Sequence, residues 1–217
     1  MKAATKTLKN LVFAALPIRH RFQRIYRLNH WKSPESRSGS GSTLESTENI
    51  REWLPRMLER HGVHDVTDVG CGDFNWMRHV LADAPTVSTY RGLDIVPDVI
   101  AENRRRHGTA SVRFDVHDVV RTPFAAADLV ILRDCLLHLS NRDAHRALRN
   151  VGASGGQLLI ASTWVEVEEN RDIVSGRWRF VNLERPPFEL PAPIEIVREN
   201  EPTGKSLALW PIADLPR

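Results

Sequence analysis

Apolar residues repeat along this chain in two ways, at helical spacing and in short continuous runs. Leu8, Leu11, Val12, Ala15 and Leu16 recur at helical spacing, and Ile18, Phe22, Ile25 and Tyr26 do so again after the break at Pro17. The spacing predicts two short amphipathic helices with basic outer faces. Another helical run, Ile50, Trp53, Leu54, Met57 and Leu58, follows the S-x-x-E pattern of Ser42 and Glu45, which predicts a capping box. From residue 63 onward strand-like and helical runs alternate. Strands are expected at Val66–Val69, Thr89–Ile95, Ser111–Val116, Asp128–Leu132 and Gln157–Ser162. Helices are expected at Trp76–Ala84, Pro97–His107 and Arg142–Val151. Strands separated by helices need crossovers, and crossovers build a parallel sheet covered on both faces. Two last strand-like runs, Ile194–Arg198 and Ser206–Trp210, flank the turn-rich Asn200-Glu201-Pro202-Thr203-Gly204, a hairpin signal.

Length and composition fit one soluble domain with a small appendage: 217 residues, 41% hydrophobic and 26% charged. No apolar run approaches the roughly 18 residues of a membrane-spanning helix, so no span is expected. Cys71 and Cys135 are too few for a disulfide scaffold or a structural zinc site and suggest a reducing, cytoplasmic setting. Charge is distributed unevenly. Residues 1–34 hold eight Lys/Arg and no Asp/Glu, whereas the rest holds 22 basic against 27 acidic residues. The basic pI therefore belongs to the arm, which argues against the body as a nucleic-acid platform.

This divides the chain into a basic helical arm (1–32), a Ser/Gly-rich connector (33–42) and a main domain (43–217). The arm reads as a cap on the body or on a partner subunit; a membrane-surface helix or a polyanion contact is the alternative. Arg19, Arg21 and Arg24 crowd the place where a signal peptide would be cleaved. Gly39 and Gly41 are expected just before a helix N-terminus, where backbone N–H groups receive anions, or else in a plain hinge.

The tip of the first expected strand carries the candidate chemistry. Asp68-Val69-Gly70-Cys71-Gly72 is a D-x-G-x-G turn leading into a helix. Glycines there let the backbone approach a ligand, and the carboxyl ends of parallel strands are where such sheets bind one. Asp94, followed by Ile95, closes the second strand 24 residues beyond Gly70. A carboxylate at that place accepts both ribose hydroxyls of an adenosine. Asp118 follows the third strand, in reach of an adenine amino group. The third position of G-x-G-x-x-G is Asn75 and no phosphate-cradling P-loop pattern is present, so the expected ligand is an adenosine without a pyrophosphate.

On these residues the chain resembles, from about residue 40 to its end, the class I S-adenosylmethionine (SAM) methyltransferases. The resemblance implies an α/β, Rossmann-like fold: a mostly parallel seven-stranded sheet with a C-terminal antiparallel hairpin and helices on both faces. It implies SAM as cofactor, with Asp68, Gly70, Gly72, Asp94, Ile95 and Asp118 binding it and Arg133 at the methionine end. The segment 128–134 resembles the family's fourth-strand motif, and His138 lies in the L-x-H segment that follows. The usual third glycine of D-x-G-x-G-x-G is Phe74, so the turn is expected to differ beyond Gly72. The runs G-S-G-S-T-L-E (39–45), C-G-D-F-N-W-M (71–77), R-D-C-L-L-H-L (133–139) and N-L-E-R-P-P-F (182–188) are similar to a group of small bacterial methyltransferases. Size and character are similar to O-methyltransferases acting on mannosides, which implies magnesium-assisted transfer to a sugar hydroxyl in a homodimer.

A sugar hydroxyl is a poor nucleophile at neutral pH, so a base or a divalent metal is expected beside it. Asp134 and His138 stand four residues apart, a spacing that suits a metal ligand with a base, or a base with its orienting partner. Asp134 and Glu166 are the candidate Mg²⁺ ligands, and His138 the candidate general base. Trp76, Trp164, Asn170, Trp178 and Arg179 are the candidate acceptor-binding residues, since aromatic faces stack on sugars while planar amides and guanidinium groups read hydroxyls. Pro186-Pro187-Phe188 resembles the adenine-reading motif of DNA methyltransferases, but the preceding residue is Arg185 and the segment lies far beyond the fourth strand. An RNA methyltransferase gripping its substrate with the arm, and a catalytically silent SAM-binding subunit, are the rival readings.

Overall fold

The computed structural model describes residues 12–200 and 203–215. The first helix expected in the arm begins outside the described residues, at Leu8 and Leu11, and residues 12–15 are helical. After Pro17, helix α1 (Ile18–Arg27) presents Ile25 to the core. Next come α2 (Glu48–Arg60), β1 (Asp65–Val69), α3 (Met77–Ala82), β2 (Thr89–Asp94), α4 (Pro97–His107) and β3 (Val112–Val116). They are followed by β4 (Leu129–Leu132), α5 (Asn141–Gly152), β5 (Leu158–Thr163), β6 (Glu195–Asn200) and β7 (Lys205–Pro211).

The strands form one seven-stranded sheet in the order β3-β2-β1-β4-β5-β7-β6. Strands β1 to β5 pair in parallel, while β7 runs antiparallel to both β5 and β6. This is the expected Rossmann-like arrangement, hairpin included. The order turns back between β1 and β4, and a crevice opens at such a switch point beyond the strands' carboxyl ends.

Side-chain alternation explains the two covered faces. In β4, Leu129 and Ile131 join one apolar cluster with Ile50, Leu54 and Met57 of α2 and Val99 and Ile100 of α4. Val130 and Leu132 join the other, with Ala144, Ala147 and Val151 of α5. All four residues of β4 are fully buried, as a central parallel strand requires. The second cluster also takes in Trp164, Val181, Leu183 and Phe188, so the long segment between β5 and β6 is packed chain.

Among these α-helices, only α5 has a side-chain cap. Ser140 caps α5 by accepting from the Asp143 N–H at 3.2 Å, and Pro97 opens α4, where its missing N–H costs nothing. The capping box at Ser42 and Glu45 does not form. Helix α2 starts at Glu48 after Thr47, and no side chain caps it. Ser42 instead closes a 3₁₀ turn (Ser40–Ser42), and Asn75 Nδ2 donates to its carbonyl at 3.0 Å. The pull of these contacts places Gly39 and Gly41 in a turn that borders the crevice, away from any helix N-terminus.

Candidate active site

A cavity of about 480 Å³ opens above β1 and β4, a size suited to a ligand of cofactor dimensions. Its floor is the D-x-G-x-G turn. Gly70 and Gly72 have φ of 80° and 57°, in the left-handed region that glycine adopts without strain. A Cβ on Gly72 would lie 2.2 Å from Ser38 Oγ, so the glycine is what lets the 36–40 segment seal this end of the cavity. Phe74 keeps the backbone form of the glycine it replaces, with φ 59°. Its ring is buried against Tyr90, Phe114 and His107, which offsets the steric cost of roughly 1–2 kcal/mol. The departure is therefore in the side chain, and the turn beyond Gly72 retains a left-handed residue.

The candidate cofactor residues converge on this cavity: Asp68, Gly70, Gly72, Asp94, Ile95, Asp118 and Arg133 all line it. Asp94 receives the Val96 N–H at 2.9 Å and the Gly72 N–H at 3.2 Å, which fix its carboxylate at the end of β2. Burial raises its pKa to about 6 against the pull of those bonds. Asp68 accepts from Tyr90 Oη at 2.8 Å, and burial raises its pKa to about 7. Asp118 accepts the Val120 N–H at 3.0 Å. The fixed, half-buried carboxylate of Asp94 at the end of β2 fits an adenosine held through its ribose.

Arg133 is engaged more heavily than its expected role implies. Its guanidinium pairs with Glu199, donates to the Gly41 carbonyl and lies 4.9 Å over the Trp76 ring. Lys205 Nζ bridges Asp134 at 2.6 Å and Glu199 at 2.7 Å. Two cations and two anions thus close a neutral network at the cavity wall. Lys205 and Glu199 were not singled out in the sequence, where the lysine reads as an ordinary start to an apolar strand. Trp76 is buried beneath Arg133 as part of the floor.

Asp134 sits at φ 53°, a strained conformation for a non-glycine residue and one that recurs at functional sites. Burial would raise its pKa, but Lys205 and Arg133 overcome that and hold the carboxyl well below the usual carboxylate range. The Ser162 hydroxyl donates to its other oxygen at 3.0 Å. The Lys205 ammonium already occupies the carboxylate and opposes a second cation there, and Glu166 does not line the cavity but is exposed and paired with Arg198 at 2.5 Å. Among the described residues no group of three His, Cys, Asp or Glu is placed to hold a metal. The expected Mg²⁺ pair is thereby corrected: only Asp134 lines the cavity, and each of the two is matched to a cation.

His138 lies in a 3₁₀ turn (Leu136–His138) after β4 and lines the same cavity. Its Nδ1 is 2.8 Å from the Arg177 carbonyl. A carbonyl only accepts, so Nδ1 carries the proton and neutral imidazole keeps a bare lone pair on Nε2. Burial lowers its pKa and favours that neutral form. Its orienting partner is thus Arg177, and Asp134 acts on it only through space.

The acceptor candidates separate into two groups. Trp164 and Trp178 line the cavity together with Phe180. Trp178 and Phe180 are 52% and 44% exposed, whereas Trp164 is buried and its Nε1–H has no hydrogen-bond partner. Asn170 and Arg179 do not line the cavity, which corrects their assignment as acceptor readers. Asn170 Nδ2 donates to the carbonyls of Asn182, Arg185 and Pro186, and Arg179 donates to those of Leu139 and Arg171. The Asn170 amide and the two terminal nitrogens of Arg179 brace the segment that carries the aromatic rings.

The arm supplies residues the sequence did not mark. Ile18, Phe22, Tyr26 and Trp31 line the cavity, as do Ser38 to Ser42. The Ser/Gly-rich segment is docked by Asp73, which accepts from the Ser36 hydroxyl at 2.9 Å and the Arg37 N–H at 2.8 Å.

Comparison with known proteins agrees with this geometry. Residues 66–154 match the family model described as a methyltransferase domain. No curated relative matches the sequence. Among solved structures, the N-methyltransferase NodS from Bradyrhizobium japonicum WM9, in complex with S-adenosyl-L-homocysteine (SAH), is similar at 16% identity with a TM-score of 0.58. That match covers 86% of this chain and 97% of NodS. TnmH is similar at 17% identity with a TM-score of 0.54, over 74% of this chain and 56% of TnmH. The chain spans 66% of the methyltransferase domain of bacterial CtHen1, at 17% identity and a TM-score of 0.49. Residues 66–154 thus match a methyltransferase-domain model, and the seven-stranded sheet shares its fold with the solved N-methyltransferase NodS. Among the described residues no helix is long and apolar enough to cross a membrane.

Proposed function

We propose that this protein transfers a methyl group from SAM to a hydroxyl of a sugar or oligosaccharide, a mannoside among the candidates, with His138 as general base. The observation that carries this reading is the place of His138, which lines the cavity of the strand-tip acids with its Nδ1 2.8 Å from the Arg177 carbonyl, an arrangement that leaves Nε2 to accept a proton. When bound, SAM supplies an electrophilic methyl carbon on a sulfonium and departs as a neutral thioether. Asp94 holds the ribose and Asp118 the adenine edge. Arg133, Asp134, Glu199 and Lys205 form a polar wall beside them. His138 Nε2 takes the hydroxyl proton as the acceptor oxygen bonds to carbon, and the imidazolium later returns that proton to water.

The exposed rings of Trp178 and Phe180 suit the C–H faces of a sugar, and the unpartnered Trp164 N–H suits an oxygen acceptor. No magnesium step is drawn, because Asp134 and Glu166 do not form its donor set.

Incubation with methyl-labelled SAM and fractionated cell extract tests the reading. Label in a base-stable ether of the carbohydrate fraction is expected. Label confined to RNA or protein, or undiminished transfer by His138→Ala, would overturn it.

A further inference from the structure

We propose that the N-terminal arm is a working part of the acceptor site, in which Trp31, braced by Gly39, positions the imidazole of His138. This rests on the reading of His138 as the base and adds a role for a segment that reading leaves idle.

A short turn after a strand restrains a side chain weakly, so His138 needs outside support. Two segments provide it. The first is the turn at 175–177. Gly176 N–H donates to the His138 carbonyl at 2.7 Å while the Arg177 carbonyl accepts from Nδ1 at 2.8 Å, so both ends of the residue are gripped. That turn is anchored by Ser175, whose hydroxyl donates to Asp143 at 2.5 Å and accepts the Ser140 N–H at 2.9 Å.

The second segment is the arm. The Trp31 ring lies 5.2 Å from the imidazole, tilted by 35°, and the Phe22 ring meets it edge-on at 6.4 Å. Behind Trp31 stands Gly39, at φ 107°, where a Cβ would lie 3.4 Å from Trp31 Cβ. That is an ordinary contact distance, so the first glycine of the G-S-G-S run is called for by its backbone conformation, and it packs directly behind the indole. The arm also braces the first clamp, since Arg21 NH1 donates to the Ser175 carbonyl at 3.0 Å. Its Nε and NH2 donate to the carbonyls of Leu16, at 2.8 Å, and Ala14, at 2.5 Å. Arm and body are tied together by Arg27 and Gln23, which both reach Asp98 on α4.

The charges around His138 leave a clear part for these rings. Asp134, after β4, favours the imidazolium; Lys205, on β7, disfavours it; Arg177 contributes its carbonyl. The arm turns uncharged rings toward it, with the Arg21 guanidinium occupied by backbone carbonyls. Exclusion of water is the largest influence keeping the base neutral, and Trp31 is one of the surfaces that exclude it.

Histidine ¹⁵N NMR on the full chain tests this without a methyl acceptor, with and without SAH, His138 being assigned by its loss in His138→Asn. The wild-type residue should show the Nδ1-protonated tautomer and titrate below the ordinary value of about 6.5. In Trp31→Ala the tautomers should mix and the midpoint rise toward that value, whereas Trp31→Phe should retain the wild-type signature. If Trp31→Ala does not fold, Arg21→Gln, which frees the Ser175 clamp, should shift the midpoint in the same direction. An unchanged tautomer and midpoint in folded Trp31→Ala, or in folded Arg21→Gln where Trp31→Ala does not fold, overturns the role of the arm. Loss of methyl transfer in His138→Asn alongside that result would leave the base standing and remove only its arm support. Persisting transfer in His138→Asn would remove the base itself.

Discussion

Asp94 and Asp134 are both carboxylates at strand ends in one cavity, yet their surroundings drive them apart. Asp94 has only backbone N–H groups to oppose burial and titrates at about 6, whereas two neighbouring cations keep Asp134 ionised. The folded values of Asp94 and Asp68, about 6 and about 7, lie above the unfolded one. Each contributes stability to the ligand-free fold that is present below about pH 4 and lost as pH rises through its folded value. Asp134 has the opposite sign: its contribution is present above about pH 4 and is lost as pH falls through its lowered value. Ribose hydroxyls are best accepted by ionised Asp94, so SAH affinity should fall by up to about tenfold per unit as pH drops below about 6. Calorimetry between pH 5 and 8 would check this. Asp94→Ala should abolish SAH binding in the same measurement. His138→Ala should bind SAH normally and lose turnover by about 10²–10⁴-fold, the usual worth of a general base.

The elements meet at the cavity wall through charges that chain order keeps far apart. Arg133 and Asp134 come from the end of β4, Glu199 from β6 and Lys205 from β7. Breaking such a pair from one side leaves an uncompensated charge. Lys205→Met should therefore destabilise the fold by about 3–5 kcal/mol, read from urea unfolding, because it leaves Arg133 alone to balance both Glu199 and Asp134. Gly72→Ala belongs to the same scale. Its methyl group would collide with Ser38, and φ 57° adds backbone strain. The expected outcome is release of the 36–40 segment from Asp73, seen as faster amide exchange there, together with weaker SAH binding.

At the scale of the whole molecule, sheet and arm enclose one site from two sides. Trp31, Trp76, Trp164 and Trp178, four of the six tryptophans, line the cavity. Titration with SAH should therefore change the intrinsic fluorescence and saturate, and a flat signal with binding seen by calorimetry would place the ligand elsewhere. The charge contrast between the basic arm and the acidic body has a local expression in the Arg27 to Asp98 pair on the surface, 2.6 Å long. Exposed pairs of this kind are worth at most about 1 kcal/mol, so the apolar side chains of Phe22, Ile25 and Trp31 do more than charge to seat the arm.

Local period and spacing determined much of this protein. Alternating runs gave every strand and helix of the main domain to within a few residues, and the D-x-G-x-G turn with Asp94 marked the cavity floor. These features are legible because one short stretch of chain contains all the physics behind each. The bridge of Lys205 to Asp134, the contact of Trp31 with His138 and the clamp from Arg177 join residues far apart in sequence, and packing alone brings them together. Asn170 and Arg179 show the converse: their chemistry suits a sugar, but the Asn170 amide and the Arg179 terminal nitrogens bond to backbone carbonyls and, for Arg179, to the Asn141 side chain. Glu166 likewise carries a metal ligand's oxygens on a surface where Arg198 claims them. A residue's type fixes which bonds it can make, and only the folded chain decides which partners are within reach.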